Sequence, residues 1–298
     1  MQTVGQGGLD LVEPRDAPRA GDTTTPELEA GHGPGCWRAR PPQQIGVDVV
    51  IPVLNEAHVL EGSVRRVHEY LSTHVPYRWQ IVIAENGSTD RTAEVARALC
   101  GALARVSVIE VGVPGRGRAL RLAWTRSTAD IVCYTDVDLS SDIAAFPALF
   151  GALVEEDYDV AVGSRLAAGS RTTRSFKRQM ISRAYNLILR LALGVRFSDA
   201  QTGFKAVTRE VVDKIVPLAT DQAWFFDTEL LVLAERLGYR IADIPIAWVE
   251  DADSRVRIIR TAIEDLKGIA RLRRLLSMGL DAPQLLAARK AANPVGQR

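Results

Sequence analysis

The chain has 298 residues, 47% hydrophobic and 24% charged, which excludes a collagen-like, mucin-like or wholly disordered polymer and allows a large buried core. Lys and Arg (37) nearly balance Asp and Glu (36), so a net charge of +1 argues against a generally basic nucleic-acid binder. Cys36, Cys100 and Cys133 are odd in number and widely spaced; they read as free thiols of a reducing compartment, and the four histidines fit no zinc signature.

Residues 1–45 hold 7 Gly and 6 Pro with little apolar periodicity and are expected to form a disordered tail. From Val47 the pattern changes to short β-branched runs, Val47–Ile51, Gln80–Ala84, Val106–Val111, Ile131–Thr135 and Tyr158–Gly163. Helix-like stretches near 57–72, 91–103, 116–128 and 142–155 alternate with them. This alternation predicts an α/β fold with a mostly parallel central sheet and helices on both faces. Right-handed crossovers then bring the C-terminal ends of the strands to one edge, where ligands bind. The division expected is a nucleotide-sugar-binding half at 46–163, an acceptor-binding half at 164–250 and a helical, basic amphipathic segment at 251–298. The longest charge-free apolar stretch, Ile143 to Val154, contains Pro147 and is shorter than the ~20 residues a spanning helix needs. With no basic patch leading into an apolar stretch at the N-terminus, a cytoplasmic protein is expected, peripheral on the inner face of the membrane if attached there at all.

Each strand end of the first half carries a polar cluster. The first holds Pro52, Asn55 and Glu56. The second is Glu85-Asn86-Gly87-Ser88-Thr89-Asp90, in which Asp90 is a good N-cap for the next helix and Gly87 serves the turn. The third contains Gly115-Arg116-Gly117-Arg118, but Leu120 occupies the place of the third glycine of a dinucleotide fingerprint; Arg116 and Arg118 at a helix N-terminus suit a phosphate better. No GxxxxGK[ST] and no GxSxG is present, so neither a P-loop nor a hydrolase elbow is expected. The fourth end gives Asp136-Val137-Asp138. Two carboxylates leaving an apolar strand repel each other unless a cation intervenes, and Mg²⁺ or Mn²⁺ prefers carboxylate and phosphate oxygens. A solvated turn is the bland alternative.

From Arg165 to Ser198 there are eight basic residues and no Asp or Glu. Arg174, Lys177 and Arg178 share one face of a helical turn, followed by Met180, Ile181, Ala184, Tyr185, Ile188 and Leu191 at helical spacing. An anion site beside an apolar surface, such as an anionic lipid head group, fits both features; a core helix with a solvated basic side is the structural alternative. Next come Asp199-Ala200-Gln201-Thr202-Gly203-Phe204-Lys205 and Trp224-Phe225-Phe226-Asp227-Thr228-Glu229. In the 255–276 segment Arg260, Lys267, Arg271 and Arg274 form a stripe opposite Ile259, Ile263, Leu266 and Ile269, which reads as a helix packed on the domain or one lying on an anionic membrane.

In this order the motifs from Val47 to about Arg274 resemble glycosyltransferase family 2 with the GT-A fold, and within it the dolichyl- or polyprenyl-phosphate sugar synthases. The resemblance implies an inverting hexosyl transfer from a nucleotide sugar, UDP-glucose or GDP-mannose, to polyprenyl phosphate at the cytoplasmic membrane face. It implies that Pro52, Glu56, Glu85, Gly87, Ser88, Arg116 and Asp136 bind the nucleotide sugar. Asp136 and Asp138 would hold the metal, Mg²⁺ or Mn²⁺, and Asp138, Arg165 and Arg178 would act in catalysis. Arg174, Lys177, Arg178, Gln201 and Asp227 would lie on the acceptor side. An anionic membrane surface or a membrane-protein partner would supply attachment, and no nucleic acid is expected. The competing readings are transfer to a hydroxyl with Asp227 as general base, and a non-catalytic nucleotide-sugar-binding partner. Leu54 stands where many relatives have Tyr, Glu85-Asn86 replaces Asp-Asp, and Ser140 replaces a Gln that some relatives place near the metal.

Overall fold

The computed structural model describes residues 36–250 and 258–279, together with residue 284. Most of the expected tail, residues 1–35, and residues 251–257 lie outside the described residues, as does nearly all of the chain after 279. Structure begins ahead of the expected boundary at 46. Residues Cys36–Ala39 and Pro42–Gln44 form 3-10 turns, because Arg38 donates to Leu153 O (2.7 Å) and pairs with Asp157, while Arg40 pairs with Asp130.

In chain order the elements are β1 (Gly46–Val53), α1 (Ala57–His74), β2 (Arg78–Glu85), α2 (Thr92–Ala102), β3 (Val106–Glu110), α3 (Arg116–Arg126), β4 (Ile131–Thr135), α4 (Phe146–Val154), β5 (Val160–Ser164), β6 (Arg171–Thr173), α5 (Phe176–Leu193), β7 (Phe204–Thr208), α6 (Arg209–Lys214), α7 (Phe226–Arg236), β8 (Ile241–Pro245), β9 (Ala247–Val249) and α8 (Ile258–Leu276). Seven strands form one sheet in the order β3-β2-β1-β4-β7-β5-β8, parallel except for β7. The chain order reverses at β1, flanked by β2 and β4, so a crevice opens beyond the carboxyl ends of β1 and β4. Because β7 enters between β4 and β5, the nucleotide and acceptor segments expected from the sequence share this sheet.

The β-branched runs become strands because both faces are covered. Val47, Val49, Ile51 and Val53 pack with α1 and α4 on one side, and Val50, Val82, Val132 and Tyr134 pack with α3 and α7 on the other. Residue-by-residue alternation places neighbours on opposite faces, so fully apolar strands require two apolar layers. The helix expected at 142–155 splits: Asp142 caps a 3-10 turn at Ile143–Ala145, and Pro147 sits in the first turn of α4. A small second sheet, β6 parallel to β9, is stitched to the loop after β4 by a bridge between Ser141 and Trp248.

Helix α8 packs on the domain through Asp265, Gly268, Ile269 and Leu272, whereas Ile263 and Leu266 are exposed. Its buried row is therefore rotated from the apolar row read in the sequence. The reason is a tertiary contact: a Cβ at Gly268 would lie 2.5 Å from the Phe225 ring, and Arg271 pairs with Asp221 and Glu229 and stacks over Phe225. The Gln201 amide donates to Asp265 at 3.0 Å. Among the described residues no helix is long and apolar enough to cross a membrane.

Burial, with the nearby Asp221 carboxylate, pushes the Asp265 pKa up to about 6. A carboxyl whose folded pKa exceeds its unfolded value carries no penalty well below both values and increasingly disfavours the folded state as pH rises through the folded pKa. Asp265→Asn should therefore raise Tm at about pH 8 and leave it nearly unchanged at about pH 4; equal shifts at both pH values would rule out an ionisation penalty at this position.

Candidate active site

The loops at the ends of β1 and β2 form one laced unit. Asn55 takes a left-handed φ of 58°, and its side-chain oxygen accepts from the Thr89 N–H at 2.7 Å, while the Asn55 N–H donates to Ser88 Oγ at 3.0 Å. Glu85 is buried and accepts from the Ser88 N–H at 2.5 Å. Gly87 has φ 76°, and its Cβ position lies 3.1 Å from Gly112 C, so the turn needs glycine for both conformation and contact. Helix α2 starts at Thr92, and Asp90 sits outside its N-cap. Its carboxylate accepts from the Thr92 N–H (2.9 Å) and the Ala57 N–H (3.3 Å), tying α2 to the entry of α1. Pro52 is part-buried in β1, and the Glu56 N–H donates to Thr92 Oγ1 at 2.9 Å. The buried Asn86 side-chain oxygen has no hydrogen-bond partner among the described residues.

Beneath the β4 end lies a buried charge cluster. Lys205 is fully buried and pairs with Asp227 at 3.2 Å; its Nζ also donates to Thr202 O. The Tyr134 hydroxyl donates to Asp227 and accepts from Arg116 at 3.0 Å. Arg116 bridges outward, 3.5 Å from Asp227 and 3.2 Å from Asp136, between the rings of Tyr134 and Trp224. Burial lowers the Lys205 pKa and raises that of Tyr134. Arg116 thus engages two carboxylates, and the first-turn amides of α3 donate to Ala223 O and Gln222 O. Any phosphate contact by Arg116 rests on its side chain, not on an open helix N-terminus. Lys205 was legible only as a lysine inside an apolar strand, and its partner Tyr134 as an ordinary strand aromatic.

Asp136 is half-buried and Asp138 exposed at the crevice. Burial raises the Asp136 pKa to about 6, with Arg116 opposing and the Asp138 and Asp227 carboxylates adding to the rise. The Asp136 N–H donates to Gly203 O at 3.0 Å, and a Cβ at residue 203 would overlap the Asp136 carboxylate, so Gly203 is required for its passage. Asp138 accepts from the Ser140 N–H at 2.9 Å. The loop that follows is clamped to β9, Val249 N–H to Ser140 O and Asp142 N–H to Ala247 O, both 2.9 Å. The pair offers hard oxygen donors that fit Mg²⁺ or Mn²⁺. No group of three His, Cys, Asp or Glu that could hold a metal occurs among the described residues, so these two would form a partial shell completed by phosphate oxygens and water.

On the other side of the crevice, Arg165 makes a bidentate pair with the buried Asp199 (2.7 and 2.8 Å), and Thr202 Oγ1 donates to the same carboxylate at 2.6 Å. Burial alone would raise Asp199, but Arg165 holds it well below the usual carboxylate range. Arg165 and Arg174 both lie over the Trp248 ring, at 5.4 and 5.1 Å. Arg178 pairs with Glu250 at 2.6 Å. The buried Nε of Arg174 has no hydrogen-bond partner among the described residues; burial and the neighbouring Arg165 and Arg178 lower its pKa. Of the acceptor-side residues read from the sequence, Arg174 makes no ion pair among the described residues, Arg178 is held by Glu250, Gln201 is occupied with α8, and Asp227 is buried in the charge cluster. The side chain of Lys177 lies outside the described features.

A family model described as glycosyl transferase family 2 matches residues 48–216. The glycosyltransferase AglD of Haloferax volcanii is 36% identical over 218 residues; these are 72% of this chain and 35% of that protein, so the chain spans about a third of that relative's length. The dolichyl-phosphate beta-glucosyltransferase of Saccharomyces cerevisiae is 28% identical over 258 residues, 80% of this chain and 77% of that protein. Glucosyl-3-phosphoglycerate synthase from Mycobacterium tuberculosis, solved in complex with uridine diphosphate, has the same fold, with a TM-score of 0.56 at 22% identity over 77% of this chain and 80% of that one. The sheet order, the carboxylate pair at the end of β4 and a family match over more than half the chain agree: the protein belongs to glycosyltransferase family 2.

Proposed function

We propose that the protein transfers glucose from UDP-glucose to the phosphate of a dolichyl or polyprenyl phosphate, with inversion, where that lipid presents its phosphate at the cytoplasmic membrane face. The observation that carries this reading is the arginine group: Arg165 and Arg174 over Trp248, Arg178 beside Arg174, no ion pair on Arg174 among the described residues, and a backbone bridge from Trp248 to the loop after Asp138. An anionic acceptor needs such a group; a neutral hydroxyl does not. Glucose and the dolichyl-phosphate acceptor are the words in the yeast relative's name, and a β-glucosyl product from an α-linked donor is inversion.

A phosphate monoester is already largely dianionic near neutral pH, its second pKa being about 6. Its oxygen attacks the anomeric carbon directly; the bond from that carbon to the diphosphate breaks, and the diphosphate departs with the electron pair. No proton has to be removed, so no general base is required. This agrees with Asp227, which is held by Lys205, Tyr134 and Arg116 and has no open approach as a base for a hydroxyl acceptor. The work left to the side chains is alignment and charge stabilisation. Arg174 receives the acceptor phosphate, Asp199 and Glu250 hold Arg165 and Arg178 in position beside it, and the loops holding Asn55, Glu85 and Ser88 shape the donor end. When bound at Asp136 and Asp138, a divalent cation would neutralise the leaving diphosphate.

Purified protein supplied with Mg²⁺ or Mn²⁺, a short-chain polyprenyl phosphate and UDP-glucose should give a glycolipid detectable by mass spectrometry, and GDP-mannose should not. Product from GDP-mannose alone would reverse the donor assignment, and product only with a hydroxyl acceptor would overturn the acceptor reading. Asp138→Asn should lower turnover at least about 100-fold. Gly203→Ala should approach that loss with an unchanged circular dichroism spectrum, because the added methyl displaces the Asp136 carboxylate; full activity would show that the resting position of Asp136 is not its working one. Asp227→Asn should chiefly destabilise, by about 3–5 kcal/mol, since it leaves Lys205 and Arg116 buried beside a neutral amide; loss of turnover with an unchanged Tm would restore Asp227 as a candidate base.

A further inference from the structure

Trp224 lies in the short loop that leads into α7 and is 48% exposed. A single exposed apolar side chain needs no explanation by itself; the place where this one is held does. The Arg116 guanidinium lies over its ring, 4.8 Å from the centroid, and is itself 3.2 Å from Asp136. The indole is therefore one residue removed from the carboxylate pair, with one face packed on a buried arginine and much of the remainder open.

The loop is fixed from both ends. The Gly117 and Arg118 N–H groups donate to Ala223 O (3.2 Å) and Gln222 O (3.1 Å). The Thr220 and Asp221 N–H groups donate to the buried Glu229, both at 2.7 Å. A Cβ at Gly115 would lie 2.6 Å from Gln222 O, and one at Gly117 would lie 2.5 Å from Phe226 Cβ. The Gly115-x-Gly117 pair, which completes no dinucleotide fingerprint, thus serves to seat this loop against α3. The result is a rigid aromatic surface beside Asp136, and an aromatic side chain with two torsions loses little entropy when it receives a ligand.

If Asp136 and Asp138 hold the cation and diphosphate of a sugar donor, the next group along that donor is the hexose. A pyranose ring has C–H groups on its faces and hydroxyls around its edge. A flat aromatic surface buries the C–H groups and leaves the hydroxyls free to hydrogen-bond. In glucose the hydroxyls on C2, C3 and C4 are all equatorial, so none of them interrupts a face. In galactose the C4 hydroxyl is axial, and stacking on that face would bury it without a partner.

We propose that Trp224 is the platform on which the hexose of the donor stacks, and that it selects glucose over the C4 epimer. The assignment deepens the donor reading given above and rests on it. Calorimetry on the full chain with Mn²⁺ and no acceptor compares UDP, UDP-glucose, UDP-galactose and GDP-mannose as ligands. The unaltered protein should bind UDP-glucose more tightly than UDP-galactose. Trp224→Ala should weaken UDP-glucose at least about fivefold, bring the two UDP-sugars closer in affinity and leave UDP within about twofold. Trp224→Phe, which keeps an aromatic plane, should recover most of the loss. Equal weakening of UDP and UDP-glucose would show that the indole only covers Arg116, and would overturn the assignment. So would an unchanged affinity for UDP-glucose; a raised KM for polyprenyl phosphate in that case would place Trp224 on the acceptor side. A loss that leaves the ratio of UDP-glucose to UDP-galactose unaltered would overturn the selection of glucose. Failure of the donor reading has a different signature: the unaltered chain would itself bind GDP-mannose and neither UDP-sugar, and the assignment would fall with that reading.

Discussion

The structure of this site depends on one buried charge cluster. Lys205 and Asp227 are removed from water within the domain, and Arg116 and the Tyr134 hydroxyl complete their partners. Ions so placed are tolerated only when paired and hydrogen-bonded, since desolvation otherwise costs several kcal/mol per ion. The cluster joins four elements, α3, β4, β7 and α7, at the edge of the sheet where the chain order reverses. Its outermost member, Arg116, reaches Asp136 at 3.2 Å, so the first carboxylate of the pair stands on a charged foundation instead of a flexible loop. Gly203 supplies the space in which that carboxylate passes the backbone.

A second network carries the other wall of the crevice. Asp199 fixes Arg165 through two side-chain bonds and one backbone bond, and Thr202 closes the remaining side of the carboxylate. Trp248 lies under both Arg165 and Arg174 while its strand grips the loop after Asp138. The Asp136 and Asp138 carboxylates and the arginine group are therefore parts of one connected frame, and the segment from Asp199 to Lys205 serves both networks. The same segment reaches α8 through Gln201 and Asp265. Its residue order makes sense as a set of anchors: Asp199 for Arg165, Gln201 for α8, Gly203 for Asp136 and Lys205 for Asp227.

Much of the fold was legible because its causes are local. Ile131–Thr135 is a strand at the boundaries read from its β-branched run, and the five strands and four helices of the first half lie within a few residues of their expected positions. The carboxylate pair was legible for a similar reason: two acids directly after an apolar strand are conspicuous in any arrangement that puts strand ends at one edge. Where periodicity misplaced a face, as on α8, the controlling contact was a ring from the residue that precedes α7, Phe225 against Gly268.

The sequence by itself determined the strand–helix alternation, the edge at which the polar clusters gather, and the chemical types present there: acids, glycines and a basic, acid-free stretch. Only the tertiary structure decided which of these groups are partners and which are free. Arg116 meets Asp227, 111 positions along the chain, and Arg165 meets Asp199, 34 positions away; Arg174, which looks no different from them in the sequence, makes no ion pair among the described residues. Periodicity records how a residue faces its own element, because backbone geometry sets that face. Pairing records how distant elements pack, and the free energy that selects it, desolvation against charge and hydrogen bonding, arises only once those elements have closed over one another.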